Sequence, residues 1–123
     1  MLLRFVSRVL LCLLVLTGCS ATGTGPSTDG GGLATVQESR LPAEARRTLE
    51  LIDEGGPFPY AKDGTVFGNF EGLLPAEKRG YYHEYTVPTP GSRDRGARRI
   101  VTGQGGEIYY TDDHYDSFRT VLR

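Results

Sequence analysis

The sequence predicts a small α+β domain, with one helix laid across a compact antiparallel sheet. Two observations lead there. A single amphipathic segment opens the foldable region. Several short stretches rich in aromatic and β-branched residues follow it, each alternating between two faces. A third observation, the absence of any internal repeat, argues against a solenoid or propeller.

The helix is expected over residues 42–53 (PAEARRTLELID). Pro42 suits a first helical position, and Glu44 lies in the first turn, where a negative charge complements the free N–H groups. Ala45, Thr48, Leu49 and Ile52 recur at helical spacing and form one apolar stripe. Gly55-Gly56-Pro57 ends it, and Leu41 is placed to pack where the chain enters. Residues 57–68, with two prolines and an Asp63-Gly64 turn signal, read as a loop. Residues 81–87 (YYHEYTV) read as a strand: Tyr81, His83, Tyr85 and Val87 share one face, and Tyr82, Glu84 and Thr86 the other. In residues 98–102, Arg99 and Val101 alternate against Arg98, Ile100 and Thr102. Residues 107–111 and 117–122 supply two more strands.

The chain has 123 residues, and the beginning is not expected to join the fold. Residues 1–8 carry Arg4 and Arg8 and no acid, and residues 9–16 (VLLCLLVL) are apolar throughout. That run is too short for a permanent bilayer span and fits the core of an export signal. Leu16-Thr17-Gly18-Cys19 follows, the small-residue pattern at which a lipoprotein signal is cut and the cysteine thiol takes a diacylglyceryl group. We therefore expect a signal peptide over 1–18, lipid on Cys19, a Gly/Ser/Thr-rich tether over 19–33 and one folded domain over 34–123. An ordinary secretory signal and a retained anchor helix are the alternatives. Either cut implies an extracellular or cell-surface location, and the lipid would hold the chain to the outer face of the cytoplasmic membrane.

Loss of residues 1–18 also removes Arg4 and Arg8, leaving 12 basic against 15 acidic side chains. A protein that binds nucleic acid by general attraction is usually basic. Any affinity for a polyanion must here come from a local cluster. The two cysteines, Cys12 and Cys19, lie in the signal and at the lipidation position, so none remains for a disulfide or a thiolate metal site.

Three residue types stand out. Glu84 lies mid-strand among aromatics, Arg95, Arg98 and Arg99 form the densest basic cluster, and His114 sits in an expected turn (TDDHY). A carboxylate, an imidazole and two guanidiniums suffice for RNA transphosphorylation. A base takes the ribose 2′-hydroxyl proton, the oxygen attacks phosphorus, an acid protonates the leaving 5′-oxygen, and arginines neutralise the phosphoryl oxygens. The nucleophile belongs to the substrate, so neither a metal nor a cofactor is needed. Each residue also has a plainer explanation. Glu84 could be a salt-bridge partner, the arginines a solvated strand edge, and His114 a turn residue bonded to backbone. His83 alternates away from Glu84 and reads as structural or surface.

These stretches together resemble a known family, the small bacterial guanyl-specific ribonucleases of the barnase type, and above all their secreted streptomycete members. The matching residues are Leu41-Pro42, Gly56-Pro57-Phe58-Pro59-Tyr60, Asp63-Gly64-Thr65-Val66-Phe67, GYYHEYTV over 80–87, Thr89-Pro90-Gly91, the RGARRIVTG run over 95–103, Tyr109-Tyr110-Thr111 and Asp113-His114-Tyr115. They cover nearly all of residues 35–121.

The resemblance implies the microbial ribonuclease fold and a role for each residue. Glu84 falls on the general base, His114 on the general acid, Arg95 and Arg99 on the phosphate-binding arginines, and Tyr115 on a tyrosine that packs beside the acid and contacts the phosphate. The guanine loop falls on Phe67, Gly68, Asn69, Phe70 and Glu71, with Thr65 just before it. Glu71 would accept hydrogen bonds from guanine N1–H and its amino group, backbone N–H groups would donate to O6, and Phe67 would pack against the base. Adenine offers the opposite pattern. The implied partners are single-stranded RNA and a barstar-like proteinaceous inhibitor; the membrane is reached through the N-terminal lipid alone, and the chain acts as a monomer. A catalytically inactive binding lipoprotein of the same fold is the alternative.

Three departures accompany the match. The streptomycete members carry a disulfide from the first strand to the C-terminal end, and Gln37 stands at its first position, which implies about 2–5 kcal/mol lower stability unless something compensates. Phe70 replaces a basic residue of the loop. The lipidation pattern is foreign to relatives released into the medium, and it implies surface retention.

Overall fold

The computed structural model describes residues 32–123; the expected signal peptide, Cys19 and nearly all of the expected tether lie outside the described residues. Strand β1 (Ala34–Gln37) leads through a single 3-10 turn (Glu38–Arg40) into helix α1 (Ala43–Glu54). Strands β2 (Thr65–Phe67), β3 (Tyr82–Thr86), β4 (Arg99–Gly103), β5 (Ile108–Thr111) and β6 (Arg119–Leu122) follow. They form one sheet in the order β1-β6-β5-β4-β3-β2. Every pairing is antiparallel except that of β1 with β6. The α+β class is as the sequence predicts.

Helix α1 forms where the apolar stripe requires it. Pro42 is its N-cap rather than its first helical residue. Gly55 ends it in the left-handed conformation (φ 81°), with the N–H groups of Gly55 and Gly56 donating to the carbonyls of Ile52 and Leu51. Ala45 and Leu49 are buried together with Leu41, Val87, Ile100, Tyr110 and Val121, and this cluster joins the helix to one sheet face. Thr48, read from the sequence as part of the apolar stripe, is buried with its hydroxyl bonded to the carbonyls of Glu44 and Thr86. The helix is thus pinned to the end of β3.

The opposite face carries a second cluster of Leu74, Tyr82, Val101, Tyr109 and Phe118, on which Phe67, Tyr81 and Tyr115 lean. Leu33, the last residue of the expected tether, already packs there. The sheet therefore has two covered faces. One meets the helix; the other meets loops that can carry chemistry.

Two strands differ from the expectation. Residues 65–67 are β2, on the sheet edge beside β3, where a loop was expected. Its three residues include two exposed ones, too few to show an alternating pattern. β1 has four residues with only Val36 partly buried, and it is placed by parallel pairing with β6, a contact made across nearly the whole span of the described residues. Beside that pairing Arg123 bonds Glu38 and Asp53 at 2.6 Å each. An ion-pair clamp thus ties β6, the turn after β1 and the helix together, near the position where the resemblance implies a disulfide.

Candidate active site

Strand β3 lies between β2 and β4, and its Tyr82-Glu84-Thr86 face is the one turned from the helix. The register sets Glu84 opposite Thr65 and Val101, and Thr86 opposite Arg99. The Asp63-Gly64 turn fastens this strand. Asp63 Oδ1 accepts from the Thr86 N–H at 2.7 Å, and the Gly64 N–H donates to the Glu84 carbonyl at 2.8 Å.

Among the described residues the Glu84 carboxylate has no cationic partner within 4.0 Å. Its Oε1 instead accepts a hydrogen bond from the Tyr115 hydroxyl at 2.8 Å. That hydroxyl in turn accepts from Arg99 Nε at 3.1 Å. Guanidinium, phenol and carboxylate are therefore linked in one chain. Burial, and then the hydrogen bond to Glu84, push the Tyr115 phenol above its ordinary pKa. It stays protonated and keeps donating well above neutral pH.

Arg99 is 2% exposed and, among the described residues, faces no carboxylate within salt-bridge distance. Its Nη1 donates to the carbonyls of Gly96 and Arg98 at 3.0 and 2.7 Å. Dipoles solvate the charge without neutralising it. A buried guanidinium is costly unless paired, so this arrangement suits an anion that arrives from outside. Arg95 is held by Thr86, whose hydroxyl accepts from Arg95 Nη1 at 2.9 Å. Arg98, third of the basic cluster, points elsewhere and pairs with Glu44 at 3.6 Å.

His114 and Tyr115 occupy the β5–β6 turn, both with left-handed backbones (φ 55° and 73°). Such angles cost non-glycine residues of order 1–3 kcal/mol each and persist where surroundings enforce them. Asp113 does so here. Its Oδ1 accepts from the Thr111 hydroxyl and the Ser117 N–H, and its Oδ2 from the Ser117 hydroxyl. The hydrogen bond from Ser117 leads the causes that hold the Asp113 carboxyl below its ordinary pKa. The His114 N–H is bonded to the Ala97 carbonyl at 2.9 Å, its ring is tilted against Tyr115 with centroids 4.9 Å apart, and the residue is exposed. The imidazole is thus free to meet a solute beside the phenol that contacts Glu84.

A cavity of about 270 Å³ adjoins this centre, walled by loop 67–71 together with Glu84, Tyr115 and Phe118. Phe67 is fixed in its wall, stacked on Tyr115 at 5.3 Å and set edge-on to Tyr82 and Phe118. Asn69 has φ 52° and spends its amide inside the loop, donating to the Leu74 carbonyl and accepting from the Leu74 N–H. It shapes the loop. Glu71 and Phe70 are exposed on the cavity wall. Thr65 stands outside that wall, beside Glu84 in register, with its hydroxyl bonded to the Lys62 carbonyl at 2.8 Å. Among the described residues no three His, Cys, Asp or Glu side chains converge as a metal set would.

The structure brings Glu84, Tyr115 and Arg99 into direct contact, with His114 against Tyr115 and Arg95 on the neighbouring Thr86. Sequence reasoning passed over Thr86 and Asp113, which hold Arg95 and the His114 turn. Strand alternation did set Thr86 on the Glu84 face; nothing local marks Asp113 as a scaffold.

Known proteins align closely with this chain. A ribonuclease family profile matches residues 24–122. The chain is 58% identical over 97 residues to guanyl-specific ribonuclease St of Saccharopolyspora erythraea, covering 79% of this chain and 96% of that protein. It is 70% identical over 84 residues to guanyl-specific ribonuclease Sa3 of Kitasatospora aureofaciens, covering 68% of this chain and 60% of that protein. A solved structure of ribonuclease Sa2 in complex with mononucleotides superposes with a TM-score of 0.73 at 53% identity, covering 74% of this chain and 95% of that one. The chain belongs to the ribonuclease family, and the enzyme class expected from the sequence holds.

Proposed function

We propose that this protein cleaves single-stranded RNA after guanosine, by transphosphorylation to a 2′,3′-cyclic phosphate and slower hydrolysis to the 3′-phosphate. The observation that carries the mechanism is the buried Arg99, which among the described residues has no carboxylate within salt-bridge distance and is linked through Tyr115 to Glu84. Glu84 takes the 2′-hydroxyl proton, and the freed oxygen attacks phosphorus. Arg99 and Arg95 bind the non-bridging oxygens and offset the charge that grows on them. His114 gives its proton to the departing 5′-oxygen. In hydrolysis the two exchange roles: His114 takes a proton from water, and Glu84 returns one to the 2′-oxygen. DNA, lacking the 2′-hydroxyl, can bind but cannot react.

Guanine is read in the cavity beside Glu84. Glu71 accepts from N1–H and the amino group, loop N–H groups donate to O6, and Phe67 forms the apolar wall. The names of the relatives support this preference.

Digestion of RNA in the presence of EDTA tests the chemistry. The wild type should cleave, with a bell-shaped pH profile, and Glu84→Gln and His114→Ala should each lose about 10²–10⁴-fold in kcat. Intact RNA, or variants that match the wild type, would sink the assignment. Glu71→Ala should lose guanosine preference in a dinucleotide series.

We further propose export, lipid on Cys19, retention on the outer face of the cytoplasmic membrane, action as a monomer, and neutralisation by a barstar-like inhibitor. The basic start, apolar run and Leu16-Thr17-Gly18-Cys19 support the first three. Labelled palmitate should enter the wild type and not Cys19→Ala.

A further inference from the structure

Three consecutive residues anchor both arginines and the imidazole. Arg95 supplies a guanidinium, held by the Thr86 hydroxyl at 2.9 Å. The Gly96 carbonyl accepts from Arg99 Nη1 at 3.0 Å, and the Ala97 carbonyl accepts from the His114 N–H at 2.9 Å. A displacement of residues 95–97 would therefore move all three groups together.

The segment rests on Thr89. Gly96 has a left-handed backbone (φ 67°), and a Cβ added to it would collide with the Thr89 hydroxyl oxygen. Both facts demand glycine, but only the second names a neighbour. The hydroxyl oxygen is buried and, among the described residues, has no hydrogen-bond partner. Its contact with Gly96 is one of shape. A methyl group is bulkier than the oxygen and would press on Gly96.

Thr89 is built as a rigid post. It stands between Pro88 and Pro90. The first ring fixes the backbone ahead of it, and the second restricts Thr89 itself to extended angles. The β-branched side chain is stiff at χ1. The Thr89 carbonyl accepts from the Ser92 N–H at 3.1 Å and closes a turn. Two residues back, Val87 is buried, and its N–H donates to the Arg98 carbonyl at 3.1 Å. The post is thus footed on the end of β3, the strand that carries Glu84.

We propose that Thr89 is a positioning residue, which through Gly96 sets where Arg95, Arg99 and His114 meet the phosphate. This rests on the reading of the two arginines as phosphate ligands and of His114 as the acid. Two consequences are specific. A faulty post harms the phosphate contacts and spares the base, because none of residues 89–97 lines the cavity beside Glu84. Faults of either sign do harm: a smaller side chain lets the segment sag, and a bulkier one lifts it.

The test compares the full chain with Thr89→Ala, Thr89→Val and Thr89→Ser. The readouts are guanosine and 3′-GMP titrations, steady-state cleavage of guanosine-led dinucleotides, and thermal melts. Thr89→Ala and Thr89→Val should each raise the 3′-GMP Kd and lower kcat about tenfold, with the guanosine Kd unchanged, because small misplacements of reacting groups are costly. Thr89→Ser keeps the oxygen at the contact and should restore both. Gly96→Ala presses on the contact from the other side and should give the same split, which keeps the test open if Thr89→Val does not fold. Unchanged 3′-GMP binding and kcat in Thr89→Ala, or in Thr89→Val, overturns the post. An equal loss of guanosine and 3′-GMP binding marks a general loosening of the fold and also overturns it, as does a Thr89→Ser variant no better than Thr89→Ala. A wild type that binds 3′-GMP no tighter than guanosine overturns the post and the phosphate reading of the arginines together.

Discussion

Arg99 shows how one side chain joins stability to chemistry. Alternation along β4 sends it to the face of Val101, away from the helix, and the sheet then buries it. Its fork is already committed in part: Nε to Tyr115, and Nη1 to two carbonyls. A lysine would keep the charge and lose that geometry. Arg99→Lys should therefore reduce kcat/KM by about 10²-fold while the protein still folds; near-wild-type kinetics would show that charge alone suffices. Tyr115→Phe removes the two hydrogen bonds by which the hydroxyl joins Arg99 to Glu84, together worth about 1–3 kcal/mol, or about 10–100-fold in kcat. The raised Tyr115 pKa adds a sign. The phenol holds its proton more firmly in the folded state, so its contribution persists through neutral pH and is lost only as pH rises through the folded value. Tyr115→Phe should accordingly lower the pH–activity curve without moving its alkaline limb.

At the scale of elements, two short loops carry what the strands cannot. Loop 67–71 is shaped by Asn69, which closes hydrogen bonds on Leu74. The turn after β5 is shaped by Asp113, which enforces the left-handed pair His114 and Tyr115. Hydrogen bonds, first that from Ser117, lower the Asp113 pKa in the fold. Its stabilisation is therefore complete above the unfolded pKa and is lost as pH falls through the folded one, below about pH 4. Asp113→Asn should lower both Tm and kcat near neutrality. The Tm difference from wild type should shrink at about pH 3, as thermal melts at the two values would reveal; a difference that persists in acid contradicts the linkage. The helix reports packing instead. Leu49, 1% exposed, should cost about 2–5 kcal/mol as Leu49→Ala in a denaturant titration, with residual activity in the folded fraction.

Across the whole molecule, charge and connectivity matter most. Net charge is close to neutral, and the proposed phosphate contacts come from a local pair, Arg95 and Arg99. Single-stranded RNA binding should then depend weakly on salt, with a log–log slope of about −1 to −2, since each phosphate contact contributes about −0.7. A slope far steeper would mean that a wider basic surface takes part. Much of this was legible along the chain. The helix stripe of Ala45, Thr48, Leu49 and Ile52, the two faces of β3 and the separation of Arg99 and Val101 from Arg98, Ile100 and Thr102 follow from local periodicity, because side-chain direction repeats with the backbone; that Arg99 shares the Glu84 face is set by the β3–β4 register. Other features were not. β1 and β2 are too short and too exposed to announce themselves, and β1 pairs with β6 across nearly the whole span of the described residues. The Arg99–Tyr115–Glu84 link, the support of Arg95 by Thr86 and the Arg123 clamp on Glu38 and Asp53 join residues far apart in sequence. Local pattern says which way a side chain points. Which partner waits there depends on how the strands are ordered, and that emerges only when the sheet closes on its two cores.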